Sequence, residues 1–252
     1  MLKMIILLLL GYVGMGIYLY LNQRAFLYYP TPRFTTPFEE MKLQNDGECI
    51  NVIVLNKGEE NAILYFGGNA ESIAKSSKHI ASQFPRLTIY LMDYRGYGSS
   101  TGIPTEEGFY SDALRLYDTV KSKHSNISIG GRSLGSGIAT YVAACREVSK
   151  LVLITPYDSV LNVAQGRFPI YPISLLLKEK YDSLDRVKDI KAKTLVVIAE
   201  LDRVIPRERT QKLIEAFDWA QLDVIEIPDR GHIDISSDEK YDQIMREFIG
   251  DG

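Results

Sequence analysis

The sequence predicts an α/β fold with a mostly parallel central sheet, helices on both faces of that sheet, and a transmembrane helix at the N-terminus. Two patterns predict it: short apolar runs alternate with helical patterns along most of the chain, and a long uncharged stretch precedes them. Such alternation is typical of right-handed βαβ units, in which a helix returns the chain to the start of the next parallel strand. The 252 residues suffice for one such domain with a large core.

The uncharged stretch runs from Met4 to Leu21 and has 18 residues. As a helix it spans about 27 Å, just enough to cross a bilayer. We predict an uncleaved anchor over residues 1–22 and a membrane localisation, with a cleaved signal sequence as the alternative. The few flanking charges do not decide which side of the membrane the rest of the chain occupies.

A connector over residues 23–37, rich in proline and threonine, leads into a single predicted domain over residues 38–252. The predicted strands are Cys49–Leu55, Ala62–Phe66, Leu87–Met92, Asn126–Gly130, Leu151–Thr155, Thr194–Ala199 and Leu222–Ile227. The predicted helices are Glu71–Phe84, Glu106–Lys123, Leu134–Arg146, Arg207–Phe217 and Asp238–Ile249.

One segment breaks this alternation, at about residues 159–189. It contains Pro169 and Pro172 and the apolar run Ile173–Leu177. An insertion that follows a central strand is well placed to cover a site at the sheet edge, so we predict a short lid here.

The strongest chemical signal is Gly131-Arg132-Ser133-Leu134-Gly135, which lies between a predicted strand and a predicted helix. This is the setting of a nucleophile elbow, where a serine sits on a sharp turn of strained backbone. Side chains at the two flanking positions would collide with the neighbouring strand or helix, which explains the glycines. We therefore predict Ser133 as the nucleophile of a serine hydrolase.

A serine hydroxyl needs a general base and a third group that orients the base. Three histidines are available: His79 and His124 lie in or at the end of helical patterns before the elbow, whereas His232 follows the last predicted strand. The chain order Ser, acid, His places the base in that loop, so we predict His232 as the general base.

For the orienting acid we favour Asp202, which follows the strand Thr194–Ala199 and precedes a helix. Asp158 follows the preceding strand and is the rival. Glu200 and Asp234 are weaker candidates.

Negative charge that develops on the substrate oxygen must be met by backbone N–H groups. Leu134 N–H, at the start of the helix after the nucleophile, supplies one. The loop Gly67-Gly68-Asn69-Ala70-Glu71 supplies the second, which we assign to Asn69. Asn69 as the N-cap of the following helix is compatible with this role.

Beyond the elbow, several stretches resemble one family. They are Gly68-Asn69-Ala70, Asp93-Tyr94-Arg95-Gly96-Tyr97-Gly98-Ser99-Ser100, Pro156-Tyr157-Asp158-Ser159, Tyr181-Asp182-Ser183, Asp202 to Pro206 and Gly231-His232. Together with the elbow they resemble the α/β-hydrolase superfamily throughout Phe38 to Gly252, and within it the Bem46-like, ABHD13-type membrane-anchored serine hydrolases. The resemblance implies the α/β-hydrolase fold, the acid and base segments assigned above, and an N-terminal anchor. The chain departs from the family in two places: Gly67 stands where a histidine is usual, and Ala199-Glu200 where His-Gly is common.

Composition excludes other classes. A net charge of −3 shows no basic excess for nucleic acid. Cys49 and Cys145, the two cysteines, give no metal-binding spacing, so we predict neither metal nor cofactor. Cys145 continues an apolar helical stripe and is predicted to lie in the core.

These observations predict hydrolysis of a carboxylic ester or thioester through an acyl-enzyme on Ser133. An anchor would bring the site close to acyl chains, so a lipid or an acylated protein is the expected substrate class. Two alternatives remain open at this stage: a membrane-tethered scaffold without catalysis, and an acyltransferase that uses the same triad.

Overall fold

The computed structural model describes residues 1–250, so the last two residues of the predicted domain 38–252 lie outside the described residues. The strands are β1 Glu39–Asn45, β2 Glu48–Leu55, β3 Asn61–Phe66, β4 Thr88–Met92, β5 Asn126–Arg132, β6 Lys150–Ile154, β7 Lys193–Ala199 and β8 Leu222–Ile227. The helices are α1 Leu2–Leu27, α2 Ile73–Gln83, α3 Glu106–Val120, α4 Leu134–Cys145, α5 Val160–Arg167, α6 Ile173–Leu176, α7 Arg207–Ala216 and α8 Glu239–Gly250.

The strands form one eight-stranded sheet in the order β1-β2-β4-β3-β5-β6-β7-β8. Strand β2 is antiparallel to both of its neighbours, and all pairs from β4 to β8 are parallel. Parallel strands end at the same edge of a sheet, which brings the loops after β3, β5, β7 and β8 together. The predicted site residues lie in these four loops.

Two apolar cores cover the two faces of the sheet. Helices α3, α4 and α7 pack on one face, and α2 and α8 pack on the other. Adjacent strand residues alternate between the cores: Leu64 and Val196 belong to the first, Ile63 and Val197 to the second. The mostly parallel sheet with helices on both faces is confirmed.

Three details differ from the predictions. Strand β1 was not predicted, because Glu39–Asn45 is a polar edge strand in which Leu43 is the one fully buried residue. Helix α2 begins at Ile73 with Ser72 as its N-cap, so Asn69 does not cap it. Cys145 is exposed because α4 ends there, beyond the part of the helix that packs on the sheet.

Helix α1 is long and apolar enough to cross a membrane, and its residues are not buried within the protein. It continues to Leu27, past the predicted end at residue 22, and so includes the charged Arg24. That guanidinium pairs with the buried Glu179 carboxylate at 2.6 Å. The chain between β6 and β7, which includes α5 and α6, lies alongside α1. We call residues 159–189 the lid segment.

Candidate active site

Ser133 lies on a sharp turn between β5 and α4, at φ 49° and ψ −117°. A non-glycine residue rarely adopts a positive φ, and this turn holds it there with a hydrogen bond from Ser133 N–H to the Ile154 carbonyl at 2.9 Å. A Cβ at Gly131 would overlap the Gly135 carbonyl, and a Cβ at Gly135 would overlap the Phe66 carbonyl. The steric reason for both glycines is therefore confirmed.

The structure brings Ser133, His232 and Asp202 into one hydrogen-bonded chain. Ser133 Oγ lies 2.8 Å from His232 Nε2, and His232 Nδ1 lies 2.7 Å from Asp202 Oδ2. An ionised carboxylate only accepts, so Nδ1 carries the proton and Nε2 is free to accept from the serine hydroxyl. The imidazole and the carboxylate are largely buried, with side chains 12% and 9% exposed.

The loop after β7 fixes the Asp202 carboxylate. Its second oxygen, Oδ1, accepts from Val204 N–H at 2.8 Å and Ile205 N–H at 2.9 Å. These amides hold the carboxylate in the rotamer that reaches the imidazole, so His232 has an oriented partner before any substrate binds.

The other acidic candidates have different partners. Asp158 is fully buried and pairs with Arg209 Nη1 at 3.2 Å. Glu200 accepts from the amide of Asp229, and Asp234 accepts from the amide of Gly231. Each of the latter two supports the backbone near His232.

The remaining histidines lie elsewhere. His79 interacts with Asp242 on the surface, and His124 lies 2.9 Å from the Tyr90 hydroxyl. Neither contacts Ser133.

The loop after β3 lies beside the nucleophile: a Cβ at Gly68 would come 3.7 Å from Ser133 Cβ. Within residues 1–250, the backbone N–H groups of Asn69 and Leu134 donate to no acceptor. Leu134 N–H also belongs to the first turn of α4, where the helix dipole favours negative charge. An oxyanion hole requires such available donors, and these two belong to the loops that flank Ser133.

The Asn69 side chain joins this loop to the end of α1. Its Oδ1 accepts from Tyr29 N–H at 3.0 Å and from the Tyr97 hydroxyl at 2.8 Å, and its Nδ2 donates to the Leu27 carbonyl. The sequence suggested only the backbone of Asn69; the side chain ties the predicted anchor to the candidate oxyanion loop.

Arg132 is a site residue that the sequence reasoning missed. Its Nη2 donates to the carbonyls of His232 at 3.0 Å and Ile233 at 2.7 Å, so it holds the loop that carries the imidazole. Arg132 directly precedes Ser133 in the elbow, so its position pointed to the site. No local pattern, however, predicts which groups a long side chain contacts.

Glu71 connects Arg132 to the oxyanion loop. It accepts from Gly68 N–H at 2.7 Å and lies 4.0 Å from the Arg132 guanidinium. The Tyr65 hydroxyl donates to the same carboxylate at 3.2 Å. Burial, reinforced by the nearby Glu71 carboxylate, raises the pKa of Tyr65 well above its usual value, so the phenol stays protonated as a donor. Polar side chains thus position both loops around Ser133.

Comparison with known proteins identifies this architecture. A family sequence model described as alpha/beta hydrolase fold matches residues 61–172, which include the Asn69 loop and the elbow. The chain is 27% identical over 228 residues to the lysophosphatidylserine lipase ABHD12 of Macaca fascicularis, covering 75% of this chain and 55% of that protein. The chain belongs to the α/β-hydrolase superfamily.

Two further proteins are similar to the chain. An uncharacterized protein of Mycobacterium tuberculosis is 30% identical over 182 residues, covering 70% of this chain and 64% of its own length. The esterase Pf2001 of Pyrococcus furiosus superimposes with a TM-score of 0.71 at 15% identity, covering 88% of this chain and 97% of that one. The latter similarity shows the fold.

The matches span about half to two thirds of these curated relatives' own length. They place the chain in the superfamily, and the Bem46-like subtype stays a prediction.

Proposed function

We propose that this chain is a serine hydrolase that cleaves a carboxylic ester or thioester through an acyl-enzyme on Ser133. The observation that carries this proposal is the continuous hydrogen-bonded chain from Ser133 Oγ through His232 to Asp202, with distances of 2.8 Å and 2.7 Å. Superfamily membership and the esterase and lipase names among the similar proteins support a hydrolase.

In the first half of the reaction, His232 Nε2 takes the proton from Ser133 Oγ as that oxygen attacks the substrate carbonyl carbon. The backbone amides of Asn69 and Leu134 stabilise the negative oxygen of the tetrahedral intermediate. Asp202 keeps the imidazole in the reactive tautomer and stabilises its positive charge. His232 then gives the proton to the leaving alkoxide or thiolate, and the acyl group remains on Ser133.

In the second half, His232 removes a proton from water, whose oxygen attacks the acyl carbon. The collapsing intermediate releases the carboxylic acid, and the proton returns to Ser133 Oγ. The proton transfers between Ser133 and His232 and the orientation of His232 by Asp202 use groups that lie within hydrogen-bond distance of each other in the structure.

We also infer that α1 anchors the protein in a membrane. Its length and apolar composition support this inference, as do the contacts that hold its C-terminal end against the domain.

Labelling with a fluorophosphonate probe tests the proposed nucleophile, because such probes phosphonylate serines that a general base activates. We expect modification at Ser133, found by mass mapping, which Ser133→Ala and His232→Ala abolish. His79→Ala and Ser82→Ala, which change exposed residues remote from the site, serve as matched controls and retain labelling. A folded protein that stays unlabelled contradicts the proposal and favours a scaffold. Product formation only in the presence of an added alcohol identifies an acyltransferase.

A further inference from the structure

An apolar groove of about 460 Å³ lies between α1 and the lid segment. We propose that this groove is the acyl-chain subsite of the enzyme and that it takes the long unbranched acyl chain of a membrane lipid ester. This inference rests on the proposed function, and it makes the membrane helix a wall of the substrate site as well as an anchor.

One wall of the groove comes from α1. Gly16, Leu19, Gln23 and Leu27 follow one another at spacings of three and four residues, so they lie on one face of the helix. Gln23 is the polar member, and its amide is occupied: Nε2 donates to the Leu176 carbonyl and Oε1 accepts from Lys178 N–H. The surface that this face presents to the groove is therefore apolar in character.

The opposite wall comes from the lid segment. Val163 and Ala164 of α5 face α1 across the groove, together with Ile173 and Leu176 of α6. Arg167, an exposed residue at the end of α5, is the charged member of the lining. Elsewhere aliphatic side chains on both sides favour an alkyl chain, because a polar ligand would lose its hydration against them. The volume is within the usual range for small-molecule sites.

The inner end of the groove meets the candidate catalytic loops. Val204 and Ile205 line it, and their amides donate to Asp202. Tyr29 also lines it, and its amide donates to Asn69. The inner end of the groove therefore lies beside both the acid loop and the oxyanion loop, and an acyl chain in it is directed toward the loops that flank Ser133.

The outer end continues toward the N-terminal half of α1. A second apolar hollow of about 340 Å³ shares Gly16 and Tyr171 with the groove. The Tyr12 and Tyr171 rings stack there at 4.7 Å, and Tyr12 Oη donates to the Ile170 carbonyl. We call residues 170–176 of the lid segment the lid tip. Because Tyr12 lies in the middle of the apolar stretch of α1, the lid tip reaches the depth of the hydrocarbon when α1 crosses a bilayer.

The exposed residues of the lid tip agree with this depth. Ile170 is 69% exposed and Leu175 is 83% exposed, and both lie in the part of the lid that contacts α1. Apolar side chains that would be unfavourable in water are stabilised among lipid tails. A lipid then reaches the groove from within the membrane, which favours a lipid ester over a soluble acylated partner.

The groove also sets a chain length. From Gly16 to Leu27 the helix rises about 16 Å. A zigzag alkyl chain with bonds of about 1.5 Å advances about 1.3 Å per bond, so roughly 13 bonds cover that distance. The groove thus takes most of the length of a long acyl chain.

Alkyl fluorophosphonates that differ only in chain length test the subsite, since the same probe reports on Ser133 and on the groove. We expect the dodecyl probe to label the full-length protein in detergent micelles at least ten times faster than the butyl probe. Ala164→Phe fills the groove from the lid segment and should remove most of that ratio.

Leu19→Trp provides an independent variant, because it fills the groove from α1 and does not depend on the folding of the lid. The matched controls are Gly166→Phe, on the same helix as Ala164, and Leu21→Trp, on the same helix as Leu19. A Cβ at Gly166 meets nothing within 4 Å, and Leu21 is 72% exposed. All variants are measured in the same micelles, so the partition of each probe is common to every variant and cancels when their ratios are compared with that of the wild type.

The outcomes separate this inference from the proposed function. Loss of the dodecyl-to-butyl ratio of labelling rates in both groove variants, with this ratio kept in both controls, supports the subsite. An unchanged ratio in the groove variants, with Ser133 still labelled, overturns the subsite and leaves the hydrolase intact. A wild-type protein that reacts with neither probe contradicts the proposed function, and the subsite fails with it.

Two substrates with the same oleoyl chain test whether the acyl chain comes from a membrane lipid or from an acylated protein. We expect release of oleate from 1-oleoylglycerol in nanodiscs to be at least ten times faster, as kcat/KM, than thioester cleavage of a water-soluble S-oleoyl peptide. Equal or faster cleavage of the peptide overturns the lipid assignment.

Discussion

The two halves of the candidate site are built in different ways. Around Ser133, His232 and Asp202, short loops at the ends of parallel strands fix polar groups through backbone geometry and close hydrogen bonds. Between α1 and the lid segment, apolar side chains from distant parts of the chain enclose a groove, and few polar contacts hold it. In the proposed function the first half supplies the chemistry, and in the proposed subsite the second half supplies the shape that selects a substrate.

This difference has an energetic consequence. A group that acts on a developing charge loses much of its effect when it moves by about 1 Å, whereas an apolar wall tolerates a shift at a modest cost. Substitutions in the first half should therefore reduce turnover strongly. Substitutions in the second half should change substrate preference or stability.

The largest effect in this comparison is expected for Asp202→Asn. The amide cannot hold the imidazole in the reactive tautomer, so kcat for a short-chain ester should fall by about 10³- to 10⁴-fold. Asp158→Asn is the matched variant: it leaves the Arg209 charge without its buried partner and should destabilise the fold by about 3 kcal/mol with kcat nearly unchanged. A larger loss of kcat in Asp158→Asn than in Asp202→Asn would show that Asp158, and not Asp202, is the orienting acid.

Arg132→Met should have the next largest effect. Without the guanidinium, the His232 and Ile233 carbonyls lose their donor and the imidazole loop shifts. We expect kcat to fall about 10- to 100-fold with little change in KM.

Arg132→Lys keeps one donor and should recover part of that loss. A variant that lowers the melting temperature but leaves kcat at the wild-type value would show that Arg132 is merely structural.

Asn69→Ala tests the connection between the two halves. Its side chain joins the oxyanion loop to Tyr29, Leu27 and Tyr97 through three hydrogen bonds, and its loss removes all three. We expect kcat to fall about tenfold, which corresponds to about 1.4 kcal/mol and is a part of what these bonds contribute. Tyr97→Phe removes one of the same contacts and should cost less. Wild-type kcat in both variants would show that the end of α1 does not position the loop.

The smallest effect on turnover is expected for Glu179→Gln. This buried carboxylate pairs with Arg24 and accepts from the Tyr28 hydroxyl, so it fastens α1 to the domain. Its neutralisation should cost about 1–3 kcal/mol of stability and lower the melting temperature by several degrees. Thermal unfolding in detergent measures this change, and a kcat reduced more than threefold would contradict a purely structural role.

The sequence predicted which residues the structure brings together in the first half, because the signals for them are local. The glycines around Ser133, the loop after β7 and the loop after β8 each follow directly from a strand end. The parallel topology then brings these loops together. The polar edge strand β1 escaped prediction because its alternation is weak and one residue in it is fully buried.

The second half could not be predicted in the same way. Tyr12 contacts Ile170 and Gln23 contacts Leu176, pairs that are 158 and 153 residues apart in the chain. Arg132 reaches the His232 loop across 100 residues. Such contacts depend on how elements pack, and neither periodicity nor a short motif encodes them.

The most direct test of the central claim is to quench a reaction with p-nitrophenyl butyrate in acid and map the protein by mass spectrometry. We expect a butyryl group on Ser133 in the wild-type protein, and neither the adduct nor turnover above about one part in 10⁴ in Ser133→Ala. Turnover that survives in Ser133→Ala, or an acyl group that maps to another residue, would contradict this claim.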